Sequence, residues 1–216
     1  MKTVVVVHTG PATVQPLKQQ FAELLPDVRV INIMDDSLLN DAITAGHLTQ
    51  AVTGRLVNYM QMGEKIGADV LLNACSSVGE AASAARSAIS IPIIKIDEVM
   101  AQRAVEAGAR IGVVATVRTT LEPTCRLIQA KADSMGKTIA LVEGLAQGAF
   151  EKLLAGQSEE HDEIVKTTIQ TLADQVDVIV LAQVSMARLV STLGDLKVPV
   201  LASPRSGVEA VRAALG

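Results

Sequence analysis

Aromatic side chains are nearly missing: Phe21, Phe150 and Tyr59 are the whole set, and there is no tryptophan. That argues against a site built on stacked rings for nucleobases, flavins or sugars. Basic runs are also missing. With 19 Lys and Arg against 23 Asp and Glu, the formal net charge is −4, which makes nucleic acid a poor partner. No stretch approaches membrane-spanning length, and the valine run after Met1-Lys2 is too short for a signal sequence. The expectation is a cytoplasmic protein with no membrane partner. Two cysteines, Cys75 and Cys125, make no disulfide framework and read as free thiols. His8, His47 and His161 are scattered, with no helical pair and no Cys/His spacing, so no metal is expected. No glycine-rich phosphate loop occurs either, and no cofactor is expected.

What is present is aliphatic: 49% of the 216 residues are hydrophobic, enough for a sizeable core. One stretch stands out. Asp69-Val70-Leu71-Leu72-Asn73-Ala74 is an apolar run of strand length, and it breaks into Cys75-Ser76-Ser77 before an alanine-rich helical run. A short apolar run bounded by turn signals reads as a buried parallel strand. Cys75 then lies where a strand's C-terminal end meets a helix start, the edge at which open α/β sheets bind ligands. A helix N-terminus favours an anion there and predicts a thiol of lowered pKa.

The stretch has an echo. Asp177-Val178-Ile179-Val180-Leu181-Ala182-Gln183-Val184-Ser185 repeats its pattern, with Gln183 falling on Cys75. Thr3–Thr9 lies over Arg110–Thr116, and Ser90–Ile94 over Lys197–Leu201, at nearly one offset. The reading is an internal repeat of about half the chain.

In order, strands are predicted near residues 3–7, 28–33, 70–73, 91–96, 111–115, 138–142, 178–181 and 198–201. Helices are predicted near 13–25, 38–44, 50–66, 81–88, 98–107, 120–135, 145–154, 159–176 and 186–193, with a last one from Gly207. Thr13, Ser76 or Ser77, and one of Thr116, Thr119 and Thr120 are candidate N-caps. Alternating strands and helices predict an α/β protein. The expected form is two pseudo-symmetric lobes, each a parallel sheet of about four strands flanked by helices, with an active-site cleft between them.

These features resemble the aspartate/glutamate racemase superfamily. It includes aspartate, glutamate, hydantoin and allantoin racemases, maleate isomerase and arylmalonate decarboxylase. Asn73-Ala74-Cys75-Ser76-Ser77 and Gly112-Val113-Val114-Ala115-Thr116 carry the resemblance most specifically. It implies lobe one at 1–98 plus 205–216 and lobe two at 99–204. It also implies pyridoxal-independent chemistry at the acidic carbon of a small carboxylic acid, and a homo-oligomer. Two facing cysteines would exchange the proton, while hydroxyls and backbone N–H groups at the strand ends hold the carboxylate and stabilise an enediolate.

The chain departs from that pattern where Gln183 takes the place of the second cysteine. Cys125 lies within a helix and reads as a small buried hydrophobe. Cys75 is therefore the single candidate catalytic thiol, and His8, at the end of the first strand, is the best spare base. Thr9, Ser76, Ser77, Thr116, Thr119, Gln183 and Ser185 are the candidate substrate-binding residues. Arg118, Lys95 and Arg205 carry no assignment, and Asp97-Glu98 reads as a helix start. Three functions stay open: an isomerase or racemase, a one-thiol lyase such as a decarboxylase of a malonate-type acid, and a non-catalytic relative that binds a small acid.

Overall fold

A computed structural model describes residues 1–216. The chain divides into two compact units, Met1–Glu98 with Pro204–Gly216, and Val99–Ser203.

The first unit holds β1 (Thr3–His8), α1 (Val14–Leu24), β2 (Arg29–Met34), α2 (Ser37–Ala45), α3 (Gln50–Lys65), β3 (Val70–Asn73), α4 (Gly79–Ala85) and β4 (Ile93–Lys95). Helix α5 (Glu98–Ala107) begins at the boundary. The second unit continues with β5 (Arg110–Ala115), α6 (Arg118–Ser134), β6 (Ala140–Leu145), α7 (Ala149–Leu154), α8 (Ser158–Ala173), β7 (Val178–Leu181) and β8 (Val200–Ala202). Helix α9 (Ser203–Leu215) then belongs, from Pro204, to the first unit. No helix is long and apolar enough to cross a membrane.

Each unit carries a four-stranded, fully parallel sheet, in the order β2-β1-β3-β4 or β6-β5-β7-β8. Strand alternation sorts the side chains onto two faces. In the first sheet, Val5, Val7, Leu71 and Ile93 pack with Leu38 of α2, Leu56 and Met60 of α3, and Ala81, Ala82 and Ala85 of α4. In the second, Val114, Ile179 and Leu181 pack with Val165, Ile169 and Leu172 of α8. The other face of that sheet packs Ile111, Val113 and Val180 against Leu121, Cys125 and Ile128 of α6.

Close helix–sheet contact is achieved in opposite ways in the two units. In the first the helix supplies the gap: a Cβ on Gly63 of α3 would stand 2.6 Å from Leu71 Cδ2. In the second the strand does: a Cβ on Gly144 of β6 would stand 2.6 Å from Leu172 Cδ1 of α8.

Four elements differ from the sequence reading, the simplest being α9, which starts at Ser203 rather than Gly207. Strand β6 runs to Leu145 rather than 142, because Glu143 and Gly144 stay in the ladder beside Val113 and Val114. The expected helix from 145 therefore starts only at Ala149, after Gly148 turns the chain with φ 84°. The expected helix after Ser185 is a 3-10 run, Val184–Thr192.

Candidate active site

Sheet register places the site residues. Thr3 to His8 pair with Arg29 to Met34, Val7 pairs with Asn73, and Asn73 pairs with Lys95. The ladders continue past the strand ends: Asp35 N–H donates to His8 O at 3.1 Å, Ala74 N–H to Val7 O at 3.0 Å, and Ile96 N–H to Asn73 O at 3.0 Å. Counting on by one or two residues gives a row across the C-terminal edge: Asp35, Thr9, Cys75, Asp97. All four lie on the face that α2, α3 and α4 cover.

Cys75 is extended, with φ −137° and ψ 120°, and precedes a 3-10 turn, Ser76–Val78, that leads into α4. The residue keeps some exposure. Four donors meet its sulfur: the Thr9 hydroxyl, the Ser77 hydroxyl, and the N–H groups of Ser77 and Val78. Burial nonetheless dominates and pushes the thiol's pKa up, with those donors opposing it. This reverses the lowered pKa expected from a helix start. Burial favours the thiol, and the four donors lessen the cost of forming a thiolate there.

Ser76 and Ser77 are buried and cap no helix; neither the 3-10 turn nor α4 has a side-chain cap bond. Ser76 bonds to the Asp97 carboxyl, and Ser77 to Cys75. Asp97 is 2% exposed. Its pKa is raised, by burial first, against the Ser76 bond and the Lys95 charge. At the other end of the row, Asp35 accepts from Ser37 N–H at 3.0 Å, Ser37 Oγ at 2.6 Å and Tyr59 Oη at 2.8 Å.

His8 falls on the opposite face by the same alternation, one residue off the Cys75 row. It is fully buried. Its Nδ1 meets Thr13 Oγ1 at 2.6 Å and its Nε2 meets Asn32 Oδ1 at 2.9 Å. Burial lowers its pKa, which the Asn32 bond opposes. Thr13, expected as an N-cap, makes no cap bond to α1, because its hydroxyl lies between His8 and Gly10 O, 3.1 Å away.

The second unit has its own strand-end row. Val114 pairs with Leu181, and Ala146 N–H and Ala182 N–H continue the ladders to Ala115 O and Val114 O. The row is Ala146, Thr116, Gln183. Gln183 Oε1 accepts from both Thr116 N–H at 2.7 Å and Thr116 Oγ1 at 2.9 Å. With Oε1 taken up by Thr116, the Gln183 amide nitrogen is the group left to donate. Helix α6 starts after Val117, with no side-chain cap from Thr119 or Thr120. Thr119 Oγ1 is buried without a partner. Ser185 is partly buried and is the second residue of the 3-10 run. Cys125 is 8% exposed in α6, and burial pushes its pKa up to about 12.

The sequence reading missed Asp97 as a site residue, along with the Asp35–Tyr59 pair. Only the register, counted past the strand ends, brings them onto the Cys75 row.

A family model described as Asp/Glu/Hydantoin racemase matches residues 4–211. The chain belongs to this family. Solved structures agree in fold. Glutamate racemase isoform RacE1 from Bacillus anthracis superposes with a TM-score of 0.79 at 17% identity, over 99% of this chain and 81% of that one. The allantoin racemase of Klebsiella pneumoniae gives 0.74 at 19% identity, covering 99% and 87%. The aspartate racemase of Picrophilus torridus gives 0.74 at 16%, covering 99% and 94%. No curated protein matches the chain at a significant level. The low identities confine the structural likeness to the fold.

Proposed function

We propose that this racemase-family chain is a cofactor-independent isomerase or racemase acting at the acidic carbon of a small carboxylic acid, with Cys75 as its reacting thiol. The observation that carries the reading is the ring of four donors on the Cys75 sulfur. A buried structural thiol needs no such ring. A group that must alternate between thiol and thiolate does, because the donors stabilise the charged form as it appears.

The Cys75 thiolate takes the α-proton to form the enediolate and, as the thiol, returns one; inversion requires the enediolate to turn over in the site or to take its proton from solvent water on the opposite face. We assign substrate hydrogen bonding to Thr9, Ser76 and Ser77, and to Thr116, Thr119, Gln183 and Ser185. Of these, Thr119 has the unpaired hydroxyl. His8 has both ring nitrogens bonded within its own unit, which supports a role in holding the β1 end rather than in moving the substrate's proton.

One observation favours a second reading. The thiol rests protonated, and the second row, Ala146, Thr116 and Gln183, holds nothing that titrates. A one-thiol lyase needs only that proton, given to the enediolate left when carbon dioxide departs from a malonate-type acid. Both readings are tested together. The protein is incubated in deuterated water with a panel of α-amino, α-hydroxy and malonate-type acids. Deuterium entering the α-carbon without loss of carbon supports the isomerase, and carbon dioxide release supports the lyase. Both must vanish in Cys75→Ala. Activity that survives this substitution removes Cys75 from the chemistry. An acid that raises the melting temperature and is never turned over marks a binding protein.

A further inference from the structure

The residue beside Cys75 on the β4 side is left unexplained by the reading above. Asp97 stands one strand over from Cys75 on the same face, since Asn73 pairs with Lys95 and the ladder continues through Ile96 N–H to Asn73 O. It is 2% exposed, and its Oδ1 has no partner. Asn73 on the same face is fully buried; its Nδ2 donates to Cys75 O at 2.8 Å, while its Oδ1 is likewise unpartnered. Two buried oxygens on this face lack a donor. An ionised Asp97 would add a charge to that shortage, whereas a protonated one adds a donor.

Of the charged groups around Asp97, Lys95 favours its ionised form and Glu98 its protonated form, and burial outweighs the Lys95 charge. Lys95, on the same strand, reaches toward Glu98 Oε1 of α5 at 3.7 Å. On α4, Glu80 is exposed. Helix α9 lies against β4 so closely that a Cβ on Gly207 would stand 2.8 Å from Ile96 O, yet its Arg205 pairs with Glu23 and Glu209. The remaining titratable neighbour is Cys75 itself, joined to Asp97 by the intervening Ser76 bond.

We propose that Asp97 carries a proton at neutral pH and, through Ser76, is the positioning residue of the Cys75 turn, a second acid on the thiol's own sheet edge. Its importance to catalysis rests on the reading of Cys75 as the reacting thiol, but its protonation does not. A neutral Asp97 spares the thiolate a negative neighbour, and ionising it would hold the thiol's proton more tightly.

Two measurements test this without using turnover. Carboxyl carbon NMR on the wild-type chain, with Asp97 identified by its response to Ser76→Ala, should give a midpoint well above the ordinary value of about 3.9. A midpoint at or below that value overturns the proposal. The second measurement is the rate of Cys75 alkylation by iodoacetamide against pH, in a Cys125→Ser background. The wild type should rise in two steps and Asp97→Asn in one, with rates at pH 7 within about twofold because one neutral group replaces another. Superimposable profiles overturn the link to Cys75. Loss of the catalytic role of Cys75 would show instead as activity retained in Cys75→Ala, and would leave both measurements standing.

Discussion

The two strand-end rows share a plan and differ in chemistry. In each, a threonine after the first strand of its unit bonds to the residue two past the third strand: Thr9 to the Cys75 sulfur, and Thr116 to Gln183 Oε1. The first row then adds Asp35 and Asp97 and can titrate at three of its four positions. The second has only a hydroxyl and an amide beside Ala146. One row holds titratable groups and the other only groups that hydrogen-bond. A two-thiol mechanism needs an acid/base group from each half; this chain supplies such groups from one row alone.

The sharpest way to break the contrast is Cys75→Ala. Removing the one thiol of the titrating row should lower α-proton exchange by about 10²–10⁴-fold, the usual contribution of a positioned acid or base, with the loss read by deuterium incorporation. Next come the paired packing tests. Gly63→Val and Gly144→Val each force a side chain into a helix–sheet contact, and each should destabilise by about 1–3 kcal/mol in urea unfolding. Equal losses would say that the two units tolerate crowding alike, despite placing the glycine on opposite partners.

Gln183→Ala tests the other row. It leaves the Thr116 N–H and hydroxyl without their acceptor, an expected loss of about 1–2 kcal/mol. By contrast Thr9→Val, at the matching place, should affect the thiol's pH profile more than stability. The smallest effect concerns a likeness. Asp69 accepts from Thr3 N–H at 2.8 Å, and Asp177 from Ala109 and Arg110 N–H at 2.9 and 2.8 Å. These bonds hold both carboxyls below their usual pKa. A carboxyl lowered on folding stabilises above its unfolded pKa of about 3.9, and that contribution is lost as pH falls through the folded value. Asp69→Asn and Asp177→Asn should therefore melt earlier than wild type at pH 7, with the gap closing in acid. A gap independent of pH would remove the carboxylate charge from the explanation.

Much of this was legible in the chain. Apolar runs ending in Cys75 and Gln183 marked the two edges, because a buried parallel strand has little freedom in composition. The matching of Asp69 with Asp177 was visible as text, and the structure gives both the same task at a strand start. The capping roles were not legible. Thr13, Ser76 and Ser77 have the right side chains for capping, but a hydroxyl bonds to whatever the tertiary fold brings near, here His8, Asp97 and Cys75. Asp97 was read as a helix start, which it immediately precedes. Its larger part depends on which strand lies next to β3, and no local pattern encodes that. The extension of β6 was not legible either: Gly144 lacks a side chain to signal a strand, and in the sheet it is a gap for Leu172.

Tyr59 is the single tyrosine in a chain without tryptophan, and its phenol donates to Asp35 on the first row. Ultraviolet emission from this protein therefore comes from one unit only, with phenylalanine a faint background. A carboxylate partner quenches and shifts that emission, so loosening of the first unit would be recorded optically while the second stays dark. Set beside far-ultraviolet circular dichroism, which sees both halves, that emission asks without a label whether they unfold together.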